Sequence, residues 1–416
     1  MTGPLHIDIA ALQQEIDDLA AISEQPPPVV TRVLFSEADI RARRFVKERL
    51  QRAGLTLRED AVGNIFARWN GTDPSLPPVA TGSHIDAIPN AGRFDGVAGV
   101  LGALEAIRAL QRNGFTPVRC VEIIVFTAEE PTRFGIGCLG SRLMSGTLPS
   151  ERAAALRDVE GKSLEEWRTQ AGFGGQDLRS VRLPRSGYAA FVELHIEQGP
   201  LLERENIPIG VVEKIAAPAT LKVQLTGVGG HAGAVLMAER HDALLAGAEV
   251  ALAVERAALQ TGSCDTVATT GVFRIEPGAV NSVPCRALLE IDARDTDLAR
   301  RDAVLLQIED VLPQICQRRG VTGQLEMLNA DAPAMCDSQL VSIVMKVCAA
   351  LRLPVKKMIS RAYHDSLFMA QLCPTTMIFI PCRGGVSHRP DEFTSPEQIN
   401  AGVNVLAGVL AELAAR

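Results

Sequence analysis

The 416-residue sequence has no pair of cysteines in Cys-x-x-Cys spacing. Its nine cysteines are scattered and odd in number, which excludes a disulfide-stapled scaffold and predicts reduced thiols, each read as a small buried hydrophobe. No apolar run approaches the ~18–20 residues that cross a bilayer, so no membrane association is expected. The first residues lack a basic stretch followed by an apolar one, so a cytoplasmic protein is expected. An excess of positive charge is also missing. Lys and Arg number 42 against 49 Asp and Glu, a net charge of −7. With no basic face to displace phosphate counterions, nucleic acid is excluded as a partner. Internal repeats and low-complexity tracts are absent as well.

What remains is the composition of an ordinary globular enzyme, 47% hydrophobic and 22% charged, at a length that favours two domains. Residues 7–22 and 37–53 have helical apolar spacing, with Pro26-Pro27-Pro28 breaking the chain between them. From residue 78 short apolar runs alternate with helices, an α/β signature. Strands are predicted at 78–83, 121–126, 190–194 and 377–380, and a helix at 97–113. Between about 213 and 329 the texture changes. A strand at 221–225, a helix at 239–259, strands at 265–275 and 286–294, a helix at 298–318 and a strand near 323–328 spell a ferredoxin-like β-α-β-β-α-β unit. The fold expected is therefore α/β: a mixed-sheet catalytic domain formed by 1–212 and 330–416, interrupted by an α+β domain at 213–329.

The predicted strands of the catalytic part each lead into a metal-type segment. His84 and Asp86 follow the first, with Asp95 nine residues beyond Asp86. Glu129 and Glu130 follow the second, His195 the third and His388 the fourth. In open α/β sheets sites form at the carboxyl ends of strands. One His-x-Asp is a weak signal and a Glu-Glu pair is usually a solvated face. These acids, however, directly follow an apolar run, and three of the seven histidines of the chain fall in these segments. Two-metal hydrolysis needs a bridging carboxylate, terminal ligands and a base. Asp95 is the best bridge, His84 and His195 complete one metal site, and Glu130 and His388 the other. Glu129 is the candidate general base, and Asp86 is expected to accept the second ring N–H of His84 from outside the ligand shell. Imidazole and carboxylate without thiolate suit Zn²⁺, Mn²⁺, Co²⁺ or Ni²⁺. The Gly227–Gly233 stretch lacks phosphate-loop spacing and reads as a tight turn presenting His231.

These segments, the Gly-Gly-His-Ala-Gly turn and the run Glu276-Pro277-Gly278-Ala279-Val280-Asn281-Ser282-Val283-Pro284 resemble the M20 metallopeptidase-like amidohydrolases. The resemblance runs from about residue 30 to the end. It is closest to the branch acting on allantoate, N-carbamoyl-L-amino acids and ureidoglycolate, which His195 marks because peptidase members carry a carboxylate there. The resemblance implies a binuclear metallohydrolase, with Mn²⁺ or Zn²⁺ foremost, that cleaves the ureido C–N bond of a small carboxylate. It implies an inserted lid and dimerisation domain and a homodimer in which His231 reaches the partner's site as an oxyanion stabiliser. It places Asn281 and Arg294 on the substrate carboxylate and Gln198 near the ureido group; read by type alone, Arg294 is an ion-pair partner of Asp292 or Asp295. The segment Ser360-Arg361-Ala362-Tyr363-His364-Asp365-Ser366-Leu367 is similar to that of the ureidoglycolate-hydrolysing members. There Tyr363, where other members usually carry Gly, implies a smaller pocket for a short substrate, with His364 beside it.

Overall fold

The structure is a computed structural model and describes residues 4–416. Helices begin where the sequence offers a side-chain cap. Asp8, Ser36, Asp242, Asp337 and Ser395 each accept a backbone N–H from the first turn that follows. Capping also moves one predicted boundary. The helix expected from 239 begins at Ala243, because Asp242 Oδ1 takes the N–H groups of Leu244 and Leu245, and 237–239 form a separate 3₁₀ turn.

The chain divides into two compact units. One comprises Met1–Glu213, Met335–Met358 and His364–Arg416, and the other Lys214–Ala334 with Ile359–Tyr363. The first is built on a mixed sheet. At its centre Thr375–Ile380, Ala190–Ile196, Val79–His84 and Val121–Phe126 run parallel in that order. Ile65–Trp69 and then Thr56–Glu59 close one side antiparallel, and Ile209–Ile215 lies antiparallel on the other, where further short strands pair with it. Each of the four central strands is buried along its whole length, as parallel strands covered on both faces must be. The helices Val97–Arg112 and Pro396–Ala414 pack on each other and on these strands. A second apolar cluster, with Phe66, Phe126, Phe191, Leu139 and Leu143 among its members, builds a core of its own. Each fully buried Leu or Phe there contributes roughly 1.5–3 kcal/mol.

The second unit has a four-stranded antiparallel sheet in the order Val267–Glu276, Arg286–Asp295, Ala217–Thr226, Thr322–Ala330. The helices Ala243–Gln260 and Leu298–Arg319 pack on it. Alternation of buried and half-buried residues along Arg286–Asp295 shows a sheet with one covered face. This is the β-α-β-β-α-β order with ferredoxin-like strand neighbours.

The thiols depart from expectation at two positions. All nine are free, but Cys264 is exposed and Cys285 half-buried, because both lie in the edge loops and strands of the second unit rather than in its core. Among the described residues no helix is long and apolar enough to cross a membrane.

Candidate metal centre and active site

The parallel strands place the metal-type residues at one end of the sheet. His84 closes its strand and is in register with Phe126, three residues before Glu129. His195 lies inside its strand rather than after it, one residue from the end, where its face points with Glu193. His388 lies eight residues past Ile380, after a short 3₁₀ turn at Arg383–Gly385. The backbone at Ala128, Gln198 and His388 is left-handed, with φ of 54°, 55° and 59°. Non-glycine residues in this region carry strain, and strain of this kind clusters at functional sites.

Asp95 stands at the centre. Its Oδ1 lies 3.1 Å from His195 Nε2 and 3.6 Å from His84 Nε2, and its Oδ2 lies 3.2 Å from His388 Nε2. Glu130 Oε1 is 3.3 Å from the same His388 nitrogen, and Glu129 Oε2 is 3.8 Å from His84 Nε2. Two ligand triads result, His84–Asp95–His195 and Asp95–Glu130–His388, sharing Asp95. The backbone sets the histidine tautomers. A carbonyl oxygen only accepts, so His84 Nδ1–H donates to Asp86 O at 3.1 Å and His195 Nδ1–H to Ile196 O at 2.9 Å. Both Nε2 atoms are thereby left as acceptors beside Asp95, and that of His195 accepts the Gly96 N–H at 3.3 Å. A neutral imidazole held this way is a ready metal ligand, so the donor set fits divalent cations.

The electrostatics agree. Burial pushes the Glu129 carboxyl well above the usual carboxylate range, and Glu130 and Asp365 add to the effect against His84. Burial likewise raises Glu130. Asp95 moves the other way. Burial opposes its charge, but His195, His388 and His84 hold it well below its ordinary value. His388 is drawn up to about 11 by Asp95 and Glu130. Buried carboxylates crowded in this way attract positive charge.

Asp86 plays a different part from the one expected. Its backbone carbonyl, not its carboxylate, receives the His84 ring N–H; carboxylate Oδ1 is 3.6 Å from that nitrogen, too far for a hydrogen bond. The carboxylate instead accepts the backbone N–H groups of Glu129 and Glu130. The strand-end turn points the side chain across to the neighbouring loop.

Gln198 donates through Nε2 to Asp95 Oδ2 at 2.7 Å, and its Oε1 is buried with no partner. His364 is buried against the His195 ring at a centroid distance of 4.6 Å. Sequence reasoning missed the polar wall behind these residues. Glu193 accepts the hydroxyls of Ser83 and Ser366, and Asp365 that of Ser141. Burial, then Glu193, lifts Asp365 to about 8. Glu392 accepts the backbone N–H groups of Phe94 and Asp95 and meets the Ser387 hydroxyl. An acid inside the apolar run Ala190–Leu194 was the one available signal for Glu193. Glu392 had none beyond lying four residues after His388.

The remaining predicted residues, His231, Asn281, Arg294 and Tyr363, belong to the second unit. There Gly230–His231 pairs with Ser282–Val283, and Ala232 N–H donates to Asn281 O, so His231 and Asn281 share one exposed corner. His231 Nδ1 accepts from Gly233 N–H, which leaves Nε2 to carry the ring proton outward. Arg294 forks onto Asp292 through Nε and Nη2 at 2.6 and 3.1 Å, and its Nη1 donates to the carbonyl of Arg361. The ion pair with Asp292 is therefore real in this structure, and two of the five N–H donors of Arg294 are left over.

Two histidine-carboxylate triads that share Asp95, set on this mixed α/β fold, define a metallohydrolase class of scaffold. The sequence pattern of peptidase family M20/M25/M40 matches residues 80–412, and the chain belongs to that family. It is 52% identical over 419 residues to the ureidoglycolate hydrolase of Arabidopsis thaliana, covering 99% of this chain and 88% of that protein. It is 37% identical over 403 residues to the N-carbamoyl-L-amino acid amidohydrolase of Geobacillus stearothermophilus, covering 97% of this chain and 98% of that protein. The crystal structure of AtUAH in complex with glyoxylate superposes with a TM-score of 0.93 at 52% identity, covering 99% of both chains.

Proposed function

We propose that this protein is a binuclear-metal amidohydrolase that cleaves the ureido C–N bond of ureidoglycolate, yielding glyoxylate, two ammonia and CO₂ with one water consumed. The observation that carries the chemistry is Asp95, whose Oδ1 lies 3.1 Å from His195 Nε2 and whose Oδ2 lies 3.2 Å from His388 Nε2. The substrate rests on the relatives named as ureidoglycolate hydrolases, which align over nearly the whole chain.

In this reading His84, Asp95 and His195 hold one divalent cation and Asp95, Glu130 and His388 a second, Mn²⁺ or Zn²⁺ foremost. Bound there, the ions supply Lewis acidity toward the water and the ureido carbonyl. Glu129 takes the proton from the attacking water and returns it to the departing ammonia. The carbamate left behind loses CO₂, and the amine collapses to ammonia and glyoxylate. Gln198 Oε1, buried without a partner, accepts a ureido N–H. Asn281 and the free N–H groups of Arg294 take the substrate carboxylate, and Tyr363 and His364 are proposed as further substrate-binding residues. His231 presents Nε2–H to the developing oxyanion of a partner subunit's site.

The unit Lys214–Ala334 serves as lid and dimerisation domain in this proposal. Two features support a homodimer. Leu245, Leu252 and Leu259 lie exposed at seven-residue intervals on the helix Ala243–Gln260. The strand Val267–Glu276, with exposed Val267 and Phe273, lies at the edge of its sheet. A cytoplasmic location accords with nine free thiols.

Steady-state assays of metal-loaded protein on ureidoglycolate, allantoate and N-carbamoyl-L-amino acids test the substrate. The highest kcat/KM is expected for ureidoglycolate. If it is the poorest of the three, the substrate assignment fails, and one of the other ureido acids takes its place.

A further inference from the structure

Of the residues that hold ions in the proposed function, His388 is the least restrained by its surroundings. Its side chain is 47% exposed, and its φ of 59° is a conformation that a non-glycine residue keeps only under outside constraint. Its partner Asp95 lies on a different segment, almost three hundred residues earlier. A ligand pair of this kind works only if the two segments are locked to each other.

Glu392 joins them. It is 4% exposed, and its Oε1 accepts the N–H groups of Phe94 at 2.7 Å and Asp95 at 3.1 Å. Its Oε2 lies 2.8 Å from the hydroxyl of Ser387, the residue before His388. That hydroxyl lies 2.9 Å from Asp95 Oδ2, the oxygen that faces His388. A closed ring of contacts thus runs from the Asp95 main chain through Glu392 and Ser387 back to the Asp95 carboxylate. Phe94 and Phe393 clasp the same two segments edge to face, with ring centroids 6.1 Å apart. Room for Glu392 is kept by Gly92, where a Cβ would lie 2.4 Å from Glu392 Cβ.

We propose that Glu392 is a positioning residue that aims the second oxygen of Asp95 and holds the His388 loop against it, setting the second ion site and the reaction geometry without touching substrate. This rests on the two-ion reading above. The ring also specifies what can replace Glu392. Two N–H groups need an acceptor at one end, and at the other the single Ser387 proton faces two carboxylates. Gln meets both demands, since its oxygen accepts from the main chain and its amide donates to Ser387. Ala meets neither.

The test compares wild type with E392A, E392Q and S387A. Affinity for Mn²⁺ and Zn²⁺ is read by competition with a chromophoric chelator, folding by thermal unfolding, and kcat and KM on ureidoglycolate separately. In E392A the weaker-held ion is expected to bind ~10–100-fold less tightly, with a similar loss in kcat, because that is the usual cost of removing such a support. KM is expected to stay within about threefold, and E392Q within about threefold of wild type throughout. If E392A fails to fold, S387A carries the comparison, with roughly a tenfold loss of affinity expected. Wild-type affinity and kcat in a folded E392A, or in S387A where that variant decides, overturns the proposal. So does an E392Q as damaged as E392A. A wild type that takes up fewer than two ions overturns the proposed function and this inference together, whereas an undamaged E392A beside a two-ion wild type overturns this inference alone.

Discussion

The carboxylate of Asp86 accepts the backbone N–H of Glu130 at 3.0 Å and that of Glu129 at 3.3 Å, while the carbonyl of the same residue holds the His84 ring. One residue thus orients three others, on two neighbouring strand ends. Asp86→Ala removes the two acceptor oxygens and leaves the Glu129–Glu130 turn, with its strained Ala128, unsupported. A loss in kcat of ~10–100-fold is expected with a native circular dichroism spectrum. Kinetics of the metal-loaded variant check it, and an unchanged kcat counts against the role.

Replacing Glu129, the proposed base, separates chemistry from ion binding. Glu129→Gln and Glu129→Ala are expected to lose at least ~10²-fold in kcat. On the proposed two-ion reading both ions should remain, since Glu129 lies outside the two triads that share Asp95. Turnover at the wild-type rate, with metal content measured alongside, sinks the base assignment.

Gly96 caps the helix Val97–Arg112 with φ of 64° and no side-chain cap, and a Cβ there would lie 2.5 Å from the His84 ring. Gly96→Ala therefore forces the imidazole aside as well as straining the backbone. A stability loss of about 2–4 kcal/mol is expected, with a weaker ion at the His84 site. Denaturant unfolding and chelator competition measure the two effects separately.

Burial pushes the thiols of Cys336, Cys348, Cys373 and Cys382 up to about 12 from an ordinary 9.0. The folded protein keeps these protons after the unfolded chain has released them. Their contribution to stability is therefore complete below about pH 9 and falls as pH rises from there toward 12. Denaturant midpoints are expected to drop between about pH 9 and about pH 11, and less steeply in Cys348→Ala. At neutral pH a thiol reagent should label Cys264, then the half-buried Cys285, and the rest only on unfolding.

Leu252→Glu places a charge in the middle of the exposed leucine row on the helix Ala243–Gln260. Light scattering is expected to show a dimer for wild type and a monomer for this variant. Activity should fall with dimer content if His231 serves the partner's site. A monomeric wild type, or a fully active monomeric variant, removes the cross-subunit role.

The sequence by itself determined the elements and the ligand types. Long apolar runs such as Val121–Phe126 specify buried strands, and periodic ones such as Val97–Arg112 specify helices, because burial and hydrogen bonding are set by local pattern. The split β-α-β-β-α-β order was legible for the same reason. So was the placement of His84, Asp95, Glu130, His195 and His388 at or shortly after predicted strands, which marked them as one candidate group. Only the tertiary structure decided how those residues are held. It turned the Asp86 carboxylate away from His84 and onto the Glu129–Glu130 main chain. It paired Arg294 with Asp292, and it brought Glu392 and Ser387 to an aspartate almost three hundred residues away. Such contacts join segments with no shared periodicity, and the geometry of a hydrogen bond, which decides among nearby acceptors, exists only once the chain has folded.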